Sequence, residues 1–229
     1  MTAAIVRTPT GDLDRSRLFY AKLGFEELGG GETVLVTDGK VIVEIDPRPG
    51  SRTGLKLVKP DWSAESQTLV PAMALELDSG FLVADPNGVR IELVEGDPED
   101  YPEPLGEGFA AVGKFVGLSV EAVDFDATVG FWLLLGYDAP EGQEMDGWAA
   151  LTAGNAVDVT VLDAMSCPHL FFNPGLTYFN GENNLAVIDH IRQAEIPIDE
   201  EITIFNDEGI VDNIIIRDPG GTGFFIFND

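Results

Sequence analysis

Two stretches of the chain, GDLDRSRLFYAKLGF at residues 11–25 and VDFDATVGFWLLLGY at 123–137, carry the same punctuation. Asp12 recurs as Asp124 and Gly24 as Gly136, so both landmarks move by 112 residues. An Asp at a helix start accepts hydrogen bonds from first-turn amides that lack partners, and a Gly takes the left-handed conformation that ends the helix. Between these signals Leu18, Phe19 and Leu23 fall on one helical face. Short amphipathic helices are therefore expected over 12–23 and 124–135. Any helix needs a cap and a stop, but two copies at one spacing require an internal repeat.

Further landmarks recur in the same order. ETVLVTDGKVIVEIDPR gives two β-rich runs about Asp38-Gly39, a dipeptide suited to a tight hairpin, and WAALTAGNAVDVTVLD repeats this about Gly154-Asn155. AAIVRT and KFVGLSV are the leading strands, while FLVADPNGVRIELVE and IIIRDPGGTGFFIFN are strand pairs around Asp-Pro-x-Gly turns at Asp85 and Asp218. Asp12 to Asp85 spans 73 residues and Asp124 to Asp218 spans 94. The extra 21 are assigned mostly to ENNLAVIDHIRQAEIPID, where Leu185, Ile188, Ile191 and Ile196 predict a helix over 184–194. In the first half AMALELDSG runs almost directly into FLVADPNG, so its second unit is expected to lack a helix. The Pro-, Gly- and acid-rich EGDPEDYPEPLGEG marks a linker, giving domains over 1–96 and 111–229 joined by 97–110.

With 229 residues, 45% of them apolar, the chain has material for real cores. Its 40 acidic residues face 13 basic ones, unevenly: residues 1–114 hold 20 acids and 11 bases, residues 115–229 hold 20 and 2. Such a surface repels nucleic acid and anionic lipid and concentrates cations, as suits either a high-salt host or a cationic ligand. The opening MTAAIVRTPT has no basic segment followed by an apolar run, and no stretch approaches the roughly 18 apolar residues of a membrane span. The expectation is a cytoplasmic protein, monomer or homodimer, with a small-molecule partner and neither nucleic acid nor membrane. The single cysteine, Cys167, excludes an internal disulfide, and with His169 it makes half of a nucleophilic pair in what reads as a loop; His190 falls in the extra helix.

The run DLDRSRLFYAKLGF followed by DPNGVRIELVE resembles the vicinal oxygen chelate superfamily, which includes glyoxalase I, bleomycin-resistance proteins, fosfomycin-resistance enzymes and extradiol dioxygenases. DFDATVGFWLLLGY and DPGGTGFF extend the resemblance over nearly the whole chain. It implies an α+β fold: two tandem domains of paired βαβββ units, each pair curling a mixed sheet into an open cup for a metal, a small molecule or both. In the family's enzymes His and Glu ligands to a divalent ion come from the first strand and a later strand of each unit. Carried over, these positions are Ile5, Glu44, Ala72 and Glu92 in the first cup. In the second they are Gly117, Val159, Gly175 or Leu176, and Phe225.

Two carboxylates hold a hard divalent ion only weakly, and Arg90 offers a second reading in which it neutralises Glu92 on its own strand. The resemblance then implies a binding module like the bleomycin-resistance branch, with no metal and no other cofactor. Its ligand is expected to be neutral or cationic and partly aromatic, held by Gly117, Trp148, Val159 and Phe225, with Phe115 and Phe224 as further aromatic supply. The alternative is a divalent-metal-dependent enzyme of glyoxalase or dioxygenase type using Glu44 and Glu92. A third possibility is a protein that acts through a partner surface.

Overall fold

The computed structural model describes residues 2–140, 142, 144–145, 147–154 and 157–228; Asn155 of the second predicted hairpin turn lies outside them. The first half runs β1 (Ala3–Pro9), α1 (Leu13–Lys22), β2 (Glu26–Gly30), β3 (Val34–Thr37), β4 (Ile42–Asp46), β5 (Gly54–Lys59), α2 (Ser63–Met73), β6 (Ala74–Leu77), β7 (Gly80–Ala84) and β8 (Arg90–Glu95). The second runs β9 (Phe115–Ala122), α3 (Phe125–Leu134), β10 (Glu144–Met145), β11 (Trp148–Leu151), β12 (Val159–Asp163), β13 (Gly175–Phe179), α4 (Asn184–Gln193), β14 (Ile198–Ile202), β15 (Asn213–Arg217) and β16 (Gly223–Phe227).

Each half forms one mixed sheet, ordered β2-β3-β4-β1-β5-β8-β7-β6 and β10-β11-β12-β9-β13-β16-β15-β14. The order is the same in both, and each sheet is two βαβββ units joined antiparallel through β1·β5 or β9·β13. The repeat punctuation does what its chemistry dictates. Asp12 accepts from Arg15 N and Asp124 from Ala127 N, both at 3.0 Å, while Gly24 and Gly136 end the helices at φ +85° and +90°.

One expectation is corrected. The second unit of the first half has its helix, α2, and it opens on β5, not on AMALELDSG. Pro71 inside the segment masks the helical pattern. The fold is anchored by Trp62, 1% exposed, whose indole N–H donates to Val94 O at 2.9 Å, and by Asp61, which accepts from Ser63 N at 2.8 Å. Ala72, carried over as a ligand position, lies in this helix.

The helices and the inward face of both sheets share a single apolar core. At its centre the Phe224 ring lies between Tyr20 of the first half and Tyr178, with centroids 6.0 and 6.1 Å away. Tyr20 Oη donates to Asp218 Oδ2 and Tyr178 Oη to Asp38 Oδ2, each at 3.0 Å, so each tyrosine reaches a turn of the other half. Burial raises both carboxyls above the ordinary Asp range against these bonds. The turn aspartates also bind backbone: Asp85 accepts from Val89 N and Asp218 from Thr222 N, both at 2.8 Å. Trp132, which replaces Tyr20 at the 112-residue offset, directs its indole N–H toward Asp85 without reaching hydrogen-bond geometry. No helix among the described residues is long and apolar enough to cross a membrane.

Candidate functional sites on the two sheets

The face of the first sheet turned away from the helices carries a register of charges. Arg7 on β1 is opposite Glu44 on β4, and Lys56 on β5 is opposite both Ile5 and Glu92. Directly opposed residues share a face, so these side chains converge. Arg7 Nε is 2.8 Å from Glu44, its Nη2 meets Glu92, and Lys56 Nζ donates to Glu44 at 2.7 Å. Burial would raise the Glu44 carboxyl, but Lys56 and then Arg7 outweigh it and hold the group below its ordinary value. Partial burial pushes the Asp46 carboxyl the same way, yet bonds from Arg48 hold it at about 2.

These residues do not fit a divalent ion. The positions around Glu44 and Glu92 are filled by a guanidinium and an ammonium, donor groups that cannot coordinate, and both carboxylates are already engaged. Ile5 shares the face but offers only hydrocarbon. The true second-unit position is Lys56, in place of the expected Ala72. Nor does Arg90 neutralise Glu92, since Arg7 reaches across from β1 to do so.

In the second sheet the equivalent register is Ser119 opposite Thr160, and Thr177 opposite Phe225. Two carried-over positions, Val159 and Leu176, are therefore one residue out, and in a strand one residue reverses the face. Val159, fully buried, packs into the shared core instead of the cup, and Thr160 takes its place. Thr177 likewise replaces Gly175 or Leu176. Ser119 Oγ and Thr177 Oγ1 are hydrogen-bonded to each other at 2.6 Å.

A cavity of about 130 Å³ sits over this pair, walled by Trp148, Phe171, Phe225 and Phe227 and free of charged side chains. Trp148 and Phe225, two of the expected ligand-binding residues, line it. Gly117 does not line the cavity: a side chain there would press 2.6 Å from the Asp158 carbonyl oxygen, so the position is set by strand packing. Phe115 and Phe224 belong to the core.

The segment 164–174 crosses the open face and completes the cavity, a contribution no periodicity announced. Phe171 lies 4.9 Å from Phe225, and Phe172 occupies the space a Cβ at Gly223 would fill. Glu200 holds the segment through Leu170 N at 2.8 Å and His169 Nδ1 at 2.9 Å, and Asn173 pairs with both backbone groups of Glu121. His169 is thereby turned to Glu200, with no hydrogen bond to Cys167 among the described residues, while Cys167 lines the cavity. His190 is an exposed helical residue. Among the described residues no group of three or more His, Cys, Asp and Glu is arranged to hold a metal.

No protein-family model matches the sequence, and no curated protein matches it. Solved structures do. An extradiol ring-cleaving dioxygenase from B. fuscum matches at TM-score 0.62 and 14% identity, over 100% of this chain and 71% of that one. Homoprotocatechuate 2,3-dioxygenase from Arthrobacter globiformis gives 0.60 and 15%, over 98% and 79%. BphC, a halotolerant catechol dioxygenase, gives 0.54 and 12%, over 97% and 85%.

These neighbours correct the expectation of a chain without a cofactor. They are dioxygenases, the branch of the resembled superfamily in which a cup holds a divalent ion, whereas none of the three is a sequestration protein. The cup residues described above are this chain's departure from that pattern. The paired units repeated in both halves, and a superposition that spans 98–100% of this chain, show that the chain has the vicinal oxygen chelate fold, in the two-domain arrangement of the extradiol dioxygenases.

Proposed function

We propose that the protein binds a small molecule with one aromatic ring, neutral or cationic, in the second cup. The observation that carries this reading is the uncharged aromatic cavity of about 130 Å³ over the Ser119–Thr177 hydroxyl pair. An apolar cavity of about 150 Å³ is enough to hold benzene, while drug-sized ligands need roughly 300 Å³ or more. The bleomycin-resistance comparison therefore narrows to a ligand far smaller than a drug. The hydroxyl pair supplies a partner for one polar substituent, and the 20 acids and 2 bases of residues 115–229 favour a cation over an anion. Structures named for catechol and ring cleavage point to the same size of ligand.

A tryptophan fluorescence screen of small aromatics at low and moderate salt tests it. Trp62 and Trp132 are buried in the core, so a ligand in the cup reports through Trp148. Hits are expected to be phenols and aromatic amines, with cationic hits weakening as salt screens the acidic surface. Mainly anionic hits, or hits unaffected by Phe225→Asp, would contradict the reading.

The neighbours favour a second reading, an enzyme of dioxygenase type whose divalent ion uses Glu44 and Glu92. It requires Arg7 and Lys56 to release those carboxylates. Stabilisation by added Mn²⁺ or Fe²⁺ that disappears in Glu44→Ala/Glu92→Ala would establish it over the first.

A further inference from the structure

Cations gather in the first cup. A cavity of about 300 Å³ opens beside its ion-paired floor, lined by Arg7, Arg48, Arg52 and Arg90. Half of the chain's eight arginines thus surround one cavity in a protein of net charge −27. Carboxylates do not balance them. Glu44 serves Arg7 and Lys56, Glu92 serves Arg7, and Asp46 serves Arg48 at 2.8 Å. Arg52 donates to the Ser51 carbonyl at 2.6 Å, and among the described residues neither it nor Arg90 forms an ion pair. Arg90 is free because Arg7 has taken Glu92.

Two exposed guanidinium groups are therefore left at the mouth without counter-charge, although the rest of the chain has acids in large excess. The facing wall is hydrocarbon, from Leu77 and Leu82. Gly54 contributes no side chain between the two, and its backbone packs directly on the Arg90 carbonyl. A guanidinium presents a planar fork of donors that matches a carboxylate in two parallel hydrogen bonds.

We propose that the first cup binds a small organic carboxylate, its charge taken by Arg52 and Arg90 and its hydrocarbon part resting on Leu77 and Leu82. The site is separate from the second cup and takes the opposite charge of ligand. Its fate does not decide that of the aromatic cavity.

Isothermal titration with glutarate, which has no ring to enter the second cup, tests the assignment. The unaltered protein is compared with Arg52→Gln/Arg90→Gln and with Arg217→Gln, whose arginine already pairs with Asp199 at 2.8 Å. Both altered sites are exposed, so the fold is retained. One-site binding is expected, weakened at least about tenfold in the double variant and unchanged in Arg217→Gln. Absence of saturable glutarate binding, equal binding by the double variant, or inorganic phosphate binding as tightly as glutarate would overturn the proposal.

Discussion

Lys56 donates to Glu44 across 2.7 Å, from a strand position opposite Glu92, and Arg7 bridges both carboxylates from the other side. In the enzymes of the resembled superfamily the corresponding four strands supply the ligands of a divalent ion. Here the protein's own cations neutralise the carboxylates. Replacing Arg7→His and Lys56→His together is expected to convert the floor to two imidazoles and two carboxylates, a donor set suited to Zn²⁺ or Mn²⁺. The melting temperature of that variant should rise with added Zn²⁺ beyond any rise in the unaltered protein. Equal shifts in the two would mean that the register does not bring these residues to one point.

The pH response of the first cup follows from Glu44. Its carboxyl is depressed by Lys56 and Arg7 despite burial, so its stabilisation is present above the unfolded value near 4.5 and is lost as pH falls through the folded value. Glu44→Gln leaves two largely buried cations short of a partner and should cost about 3 kcal/mol at pH 7. The cost measured by denaturant unfolding should hold level down to about pH 5 and shrink as the pH falls from there toward 3. A difference that stays constant over that range would show that the ion pairs are not responsible.

The two halves are expected to unfold together. Tyr20 and Tyr178 each bond a buried Asp of the other half and flank Phe224. Tyr20→Phe removes one hydrogen bond to a charged group, about 1.5 kcal/mol, since Thr8 still donates to Asp218 at 2.6 Å. Phe224→Ala opens a cavity in the shared core and should cost about 4 kcal/mol. Calorimetry should give one transition for each variant. A separate early transition for either half would contradict a shared core.

Legibility in the sequence followed the strength of local chemistry. Asp12, Asp124, Gly24 and Gly136 act through their own backbone neighbourhoods, and so the repeat and its helices were readable. Helix α2 was not, because Pro71 breaks its pattern and Trp62, its anchor, bonds a strand 32 residues away. The offset of 112 that links Arg7 to Ser119 grows to 121 for Lys56 and Thr177 and to 133 for Glu92 and Phe225. Nine of the 21 extra residues thus precede β13, four of them before Thr160 and five in the crossing segment, although the sequence pattern assigns the 21 mostly to a helix. Val159 stands 115 residues after Glu44 and its counterpart Thr160 stands 116, and that single residue puts Val159 on the core face, since strand faces alternate at every residue. Phe225 follows the Asp218 turn by seven residues, as Glu92 follows Asp85, so the insertions leave this pairing in register.

The second cup is measured most directly by isothermal titration with catechol and with 2,3-dihydroxynaphthalene. One ring matches the cavity of about 130 Å³ and two fused rings exceed it. Saturable one-site binding of catechol is predicted, at least about tenfold tighter than the fused-ring diol. Thr160→Phe, which fills the cavity from a partly exposed strand position, should abolish binding while leaving the circular dichroism spectrum unchanged. Absence of saturable catechol binding, or binding that survives Thr160→Phe, would contradict the claim that this cavity holds a single aromatic ring.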